Sequence, residues 1–246
     1  MPPTELQPDM APLYRLADHV CACRVDEQVV LLDLKRNKYM GIGGPLLGAL
    51  ADAVVDWPTR SATSLPTAPS PCLHQGLHTL LEQRMLTITS DAGAGRASID
   101  AARASMLPDV CGRSVLSESR HLPSLLLSAA VAAHWLSRCS LANIRVRVIR
   151  ERQDCHRSKQ SPEGDMLRAA VAAYTHLRPF VLTAHDQCLH DSLTLIRFLA
   201  KQGVFARWVI GVRTRPFGAH SWVQSGNTVL NDVHENVRAY TPIMVV

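Results

Sequence analysis

A cysteine at the head of a helix, followed by a hairpin that carries a histidine and an aspartate, constrains this chain more than any other stretch. Residues 186–199 read DQCLHDSLTLIRFL, a helical segment with Cys188 in its first turn. Unpaired backbone N–H groups and the helix dipole at that position lower a thiol pKa. PFGAHSWVQ then brings His220, and TVLNDVHE brings Asp232. Ser225-Gly226-Asn227 predicts a three-residue turn between two strands. Centred on Gly226, it pairs Gln224 with Thr228, Trp222 with Leu230 and His220 with Asp232. Directly opposed residues share one sheet face, with Cβ atoms about 4.5–5.5 Å apart. That is within reach for a carboxylate orienting an imidazole, so the three side chains suit a nucleophile, a base and an orienting acid. Each also has a plainer reading. A helical cysteine is commonly a small buried hydrophobe, and an aspartate near a turn commonly caps it. Spacing alone does not assemble a triad, because the fold brings such groups together.

The rest of the composition narrows the class. The chain has 246 residues, enough for one large domain or two modest ones. Alanine and leucine dominate and aromatics are sparse, which favours helix-rich packing. The net charge of +5 permits an acidic peptide partner. It is no strong nucleic-acid signal, since no basic helix with interleaved aromatics accompanies it. Seven cysteines, an odd number, do not build a small disulfide scaffold. Cys21 and Cys23 share one side of a strand, but no second close pair completes a zinc site. A reducing cytoplasm is the expected compartment, and the opening MPPTELQPDM has no basic-plus-apolar signal sequence. The apolar run 125–136 is too short to span a bilayer. Association at a membrane surface stays compatible with this pattern.

Residues 1–12 read as a loose leader. Strands are expected at 19–25 and 28–34, reversed at Asp26-Glu27, with a third at 38–42 after a turn at Asn37. Val30 and Leu32 fall on one face, Leu31 and Asp33 on the other. Gly43-Gly44-Pro45 opens a helix running to Val54, closed by Trp57-Pro58. The Ser/Thr/Ala/Pro-rich stretch 59–71 reads as a loop. A helix at 74–84 and a short strand at 85–89 complete this first unit, and 91–95 (DAGAG) is the expected boundary. Beyond it, a helix is expected near 123–139. The segment IRVRVIRERQ alternates like a partly exposed strand, although a helix fits too. The following residues 154–164 read as a polar surface loop, and the basic run as a solvated face or a partner patch. A helix at 169–177 ends at Pro179. Asp186 is the expected N-cap of the Cys188 helix, which Lys201-Gln202-Gly203 stops. Residues 205–212 read as a strand, with His220 and Asp232 on the next two strands. The order describes an α+β peptidase core.

These residues carry a resemblance. Residues 97–246 resemble the transglutaminase-like, papain-like cysteine peptidase domain of lasso-peptide maturation proteins, most densely in DQCLHDSLTLIRFLAKQGVFARWVIGVRTRPFGAHSWVQSGNTVLNDV. The family carries its cysteine in C-L-x-x-S-L, its histidine in P-F-x-A-H-x-W-V and its acid in the next strand. These positions fall on Cys188, His220 and Asp232. Residues 13–90, through VVLLDLKRNKYMGI and the helix after it, resemble the small winged-helix-like, PqqD-like domain that accompanies many peptide-maturation enzymes. The insertion at 59–71 departs from a compact domain of that kind.

The resemblance implies an α+β chain of two domains, a leader-recognition domain at 13–90 and a cysteine peptidase at 97–246. It implies capture of a precursor leader as an added strand, in a groove between 38–42 and the helix at 74–84. Cleavage at the leader–core junction would follow. The freed amine would be closed into a macrolactam by a partner resembling an ATP-dependent asparagine synthetase. ATP belongs to that partner cyclase, since this chain carries no nucleotide motif, although coupled processing that uses ATP fits the family. Neither an intrinsic cofactor, a metal nor nucleic acid is implied; an exporter complex at the membrane surface is compatible. Two other classes stand beside this one. A transglutaminase-like acyltransferase would use the same thioester with an amine in place of water, and a scaffold would bind the leader without chemistry. Among nearby groups, Gln187 is a further candidate donor, and Trp222 a wall of the cleft. His185, His190 and Asp191 fit exposed or capping roles.

Overall fold

The computed structural model describes residues 13–58, 71–89, 99–106, 118–156, 164–182 and 187–246. The expected leader, most of the 59–71 loop, the 91–95 boundary, His185 and Asp186 lie outside them.

The first unit is built on two hairpins. Strands β2 (Val20–Val25), β3 (Gln28–Asp33) and β4 (Lys38–Gly43) form an antiparallel sheet in that order. Asp26 and Asn37 both take positive φ in the connecting turns, a conformation short Asx side chains tolerate. Asp33 is 1% exposed and holds the second turn closed. Its Oδ1 accepts from the Lys35 and Arg36 backbone N–H groups at 2.9 and 3.2 Å. Beside this sheet, β1 (Leu13–Leu16) pairs parallel with β5 (Val54–Val55) and antiparallel with β6 (Leu86–Thr89). The sequence pattern did not announce β1. Helices α1 (Pro45–Ala53) and α2 (Pro71–Glu82) pack on one another.

In the second unit, helices α3 (Leu122–Arg138), α4 (Leu141–His156), α5 (Gly164–Val181) and α6 (Cys188–Lys201) stand with a five-stranded sheet ordered β11-β8-β9-β10-β7. Its strands are β7 (Ala104–Ser105), β8 (Arg207–Thr214), β9 (Phe217–Ser225), β10 (Thr228–Val229) and β11 (Thr241–Val245). A short helix α7 (His234–Val237) precedes β11. The architecture is mixed α/β, as expected.

One local expectation resolves and another changes. The segment IRVRVIRERQ takes the helical of its two readings, because Leu141 just before it and its own Ile144 and Val148 are buried at helical spacing while Val146 is 45% exposed. Helix α5 also runs two residues past Pro179. The proline sits in the exposed last turn, where its missing N–H forfeits a single ladder bond.

The β2-β3-β4 sheet is buried on both faces, which ties the two units together. Val29, Leu31 and Ile42 join Leu50, Trp57, Leu80 and Leu86 in one apolar cluster. The opposite face contributes Cys23, Val25, Val30, Leu32 and Leu34 to the cluster holding Leu193, Phe198, Trp208 and Val223. Polar contacts follow the same seam. Asn37 Oδ1 accepts from the Leu141 backbone N–H at 3.1 Å, and the Ala142 N–H donates to Leu34 O at 2.9 Å. The hairpin loop of the first unit thus satisfies orphan donors at the N-terminus of α4.

Leu32 is fully buried in the joint cluster. Leu32→Ala is therefore expected to destabilise the chain by about 2–5 kcal/mol. Both units should melt in one transition, measured by denaturant titration of tryptophan fluorescence and far-UV circular dichroism together.

Candidate active site

Cys188 is the first residue of α6, following Gln187. The helix behind it is buried throughout from Asp191 to Leu199, and it opens to the surface only at its two ends, one of which carries Cys188. His220 lies in β9, where it pairs with Gly211 of β8. Gly211 is required there: a Cβ would stand 2.7 Å from the Trp222 ring. With that space free, Trp222 lies nearly parallel to the His220 ring, centroids 6.1 Å apart, and Tyr240 packs at 5.3 Å.

The hairpin register differs from expectation by one residue. Ser225 pairs with Thr228 and Gln224 with Val229, so the turn is the two-residue Gly226-Asn227, with Gly226 at φ 54°. Such a slip reverses every later side chain, and His220 does not face Asp232 across a ladder. Instead β10 ends after two residues, and the chain leaves the sheet. Asn231 then takes the strand's place: its Oδ1 accepts from the Val223 N–H at 2.8 Å, and its Nδ2 donates to Asp191 Oδ2 at 2.7 Å. Asp232 reaches His220 from this irregular segment.

His220 Nε2–H donates to Asp232 Oδ2 at 2.6 Å. The other carboxylate oxygen accepts from the Val233 N–H at 2.7 Å and from Asn236 Nδ2 at 3.1 Å. Asp232 is thereby held at both oxygens, and the ring presents its Nδ1 edge for other contacts. The hydrogen bond with His220 is the largest influence on Cys188 and lowers its thiol pKa. Burial opposes this, while the Ser221 and Leu189 backbone N–H groups reinforce it. Burial disfavours charge on His220, but the hydrogen bonds to Asp232 and Cys188 outweigh it and raise its pKa to about 9. Burial pushes Asp232 up. Hydrogen bonds from His220, Val233 and Asn236 overcome that and hold it below the usual carboxylate range. The arrangement favours a thiolate–imidazolium pair beside an ionised acid.

A cleft of about 360 Å³ opens over these groups, lined also by Arg178, Gln187 and Asn231. Gln187 Oε1 is engaged by His190 Nδ1 at 3.0 Å, and His190 Nε2 meets Ala129 O at 3.0 Å. Both nitrogens of His190 are occupied away from the thiol. Asp191 is 6% exposed rather than on a helix surface. It accepts from Arg178 Nε at 2.7 Å and from the Tyr174 hydroxyl at 2.8 Å. Tyr39, from β4 of the first unit, was not singled out by pattern. Burial and the charge of Cys188 push its phenol up to about 12. Its ring meets Phe217 edge-on at 5.5 Å. Among the described residues, no group of three His, Cys, Asp or Glu could hold a metal ion. No helix among the described residues is long and apolar enough to cross a membrane.

The charge arrangement dictates a pH window. With the thiol lowered and the imidazole raised, the pair is expected above the lowered Cys188 pKa and is expected to be lost as His220 deprotonates near 9. Alkylation of Cys188 should begin below the ordinary thiol range, read by mass spectrometry of its peptide. In Asp232→Asn one support of the imidazolium is gone, so its loss should move down from about 9 toward the ordinary 6.5. An unshifted profile in that variant would remove Asp232 from the couple.

Residues 124–245 match the family model described as the transglutaminase-like superfamily. The microcin J25-processing protein McjB of Escherichia coli is 51% identical over 47 residues. That stretch covers 19% of this chain and 23% of McjB, so the match spans under a quarter of the relative. No solved structure matches the chain. The family match links the segment 124–245, which carries Cys188, His220 and Asp232, to the transglutaminase-like superfamily.

Proposed function

We propose that the chain is a cysteine peptidase that processes a lasso-peptide precursor by cutting between leader and core. The observation that carries this reading is the line Cys188–His220–Asp232 at the mouth of the cleft, with a lowered thiol and a raised imidazole. The superfamily link supports a catalytic cysteine. The role in McjB's name, processing of microcin J25, supports a peptide as the substrate.

In this reading Cys188 Sγ attacks the scissile carbonyl carbon, and the tetrahedral oxyanion faces the backbone N–H groups at the start of α6. His220 gives its proton to the leaving amine as the C–N bond breaks, which frees the core and leaves the leader as a thioester on Cys188. Neutral His220 then takes a proton from water. The hydroxide adds to the thioester carbonyl, and collapse expels Cys188, releasing the leader acid. Asp232 holds the ring and offsets its charge through both steps. The freed core amine is the group that a partner cyclase, ATP-dependent and resembling asparagine synthetase, would join to an acidic side chain.

The first unit, residues 13–90, is the PqqD-like recognition domain in this reading. Strand β4 is the edge of its sheet. A groove of about 480 Å³ runs beside it, lined by Met40–Gly43, Leu46, Gln75, Gly76 and Leu80. An extended leader can add to such an edge through main-chain hydrogen bonds while its side chains fill the apolar floor. Tyr39 on the same strand packs on the opposite face, against the core that holds the Cys188 helix, so the strand that would take the leader also borders the peptidase core. Tethering raises the local concentration of the scissile bond.

Incubation of the full chain with the precursor should yield leader and core separated by one added water, read by mass spectrometry. Cys188→Ala should abolish the products, and Asp232→Asn should slow them on the order of 10²-fold or more. An intermolecular amide in place of the acid would identify acyl transfer instead, and unchanged cleavage by Cys188→Ala would sink the nucleophile assignment.

Leu46→Glu places a charge on the groove floor, away from the thiol. It should raise KM for the precursor about tenfold, ~1.4 kcal/mol, with kcat kept. Equal KM in the two proteins would dismiss the groove as the leader site.

A further inference from the structure

The nucleophile helix and the base strand meet at a buried pair of hydroxyls. Ser192 lies four residues after Cys188 on α6, one turn below it on the same helix face. Ser221 follows His220 directly in β9. Their Oγ atoms are 2.6 Å apart, and the residues are 0% and 3% exposed. Fully buried Trp208 donates its Nε1–H to Ser221 Oγ at 2.8 Å. The remaining protons have acceptors as well. Ser192 Oγ lies 3.2 Å from Leu189 O, and Ser221 Oγ lies 3.2 Å from Val209 O. Whichever hydroxyl donates within the pair, the other finds a carbonyl, so the network is satisfied in either direction.

Its position matters more than its existence. One end of the tie is a helical turn from the sulfur. The other is on the residue whose backbone N–H bonds Cys188, beside the imidazole that bonds it too. Two short side chains also let helix and strand approach closely, which larger apolar residues would prevent. The apolar contacts around them carry no direction; a hydroxyl pair at 2.6 Å does.

We propose that the Ser192–Ser221 pair, braced by Trp208, is the positioning element of the site: it fixes the spacing between the Cys188 helix and the His220 strand, and so sets the thiolate–imidazolium contact. The inference rests on the reading that Cys188 and His220 are the catalytic couple.

The test uses the full chain with Ser192→Ala, Ser221→Ala, Ser192→Thr and a control, Ser128→Ala. Ser128 is equally buried but bonds within its own helix, to Ser124 O. Three quantities are read: the melting temperature, the pH profile of Cys188 alkylation by peptide mass, and kcat and KM for the precursor. Both alanine variants at the tie should move the onset of alkylation to higher pH. They should lower kcat about tenfold or more, as small misplacements of reacting groups do, with KM within about twofold, because binding energy is untouched. Ser192→Thr keeps the hydroxyl and should restore the onset. Ser128→Ala should lose stability with no change in onset. If Ser221→Ala does not fold, the Ser192 variants decide alone. The proposal is overturned if Ser192→Ala loses stability as the control does while onset and kcat stay at the parent's values. Failure of the underlying reading looks different: the parent itself would show an ordinary thiol onset, and Cys188→Ala would still cleave.

Discussion

Burial of the helix Cys188–Lys201 on every side is the constraint from which the rest of the molecule follows. Leu193, Leu195, Phe198 and Leu199 are fully enclosed, as a central helix between α-helices and a sheet must be. Its polar residues then need partners inside the protein. Asp191 finds Arg178, Tyr174 and Asn231. Arg197 pairs with Glu151 and lies over the Trp135 ring at 4.2 Å. Thr194 bonds back to His190 O at 2.7 Å. A helix closed in this way meets solvent only at its ends. The end with unpaired N–H groups is the one that bears the cysteine, so the packing that stabilises the core also delivers Cys188 to the cleft, where the hydrogen bond with His220 lowers its thiol pKa.

A second consequence concerns the first unit. A three-stranded sheet that packed helices on one face would show alternation of apolar and polar residues. Strand β3 is instead apolar at Val29, Val30, Leu31 and Leu32, all at most 2% exposed, the pattern of a strand covered on both sides. The sheet is therefore a wall common to two cores rather than the outer layer of a separable module. Asn37 capping α4 and Tyr39 beside Cys188 are the polar counterparts of that wall. Recognition and chemistry, on the proposed function, share a rigid element and not merely a flexible linker.

The strands β2 to β4, the helices around Leu80 and Leu125, the Cys188 helix and β8 were legible because periodicity and turn residues agreed locally. What escaped was set by distant partners. Strand β1 exists only because β5 and β6 accept it, and β7 because β10 does. Helix α4 looked strand-like because Arg145 and Arg147 alternate with apolar residues, but burial of Leu141, Ile144 and Val148 chose the helical period. The candidate site divides in the same way. Residue types and order singled out Cys188, His220 and Asp232, whereas the expected geometry relied on a hairpin register that the two-residue turn displaces. The contact between His220 and Asp232 survives because Asn231 reroutes the chain. An amide that substitutes for a strand has no sequence signature of its own.

Two carboxylates, Asp191 and Asp232, line one cleft, and their surroundings assign them different work. Asp191 is nearly enclosed, and three donors, one of them a guanidinium, occupy it. A buried carboxylate satisfied in this way is electrostatically spent. It holds Arg178 at the cleft wall and anchors Asn231. Asp232 keeps one oxygen for His220 and gives the other to Val233 and Asn236. That second set of bonds fixes the carboxylate plane and leaves its facing oxygen directed at the ring. The first acid makes the second one's position possible, through the adjacent residue Asn231. On the proposed function the orienting role falls to Asp232, because its Oδ2 is the carboxylate oxygen that the His220 ring meets at 2.6 Å.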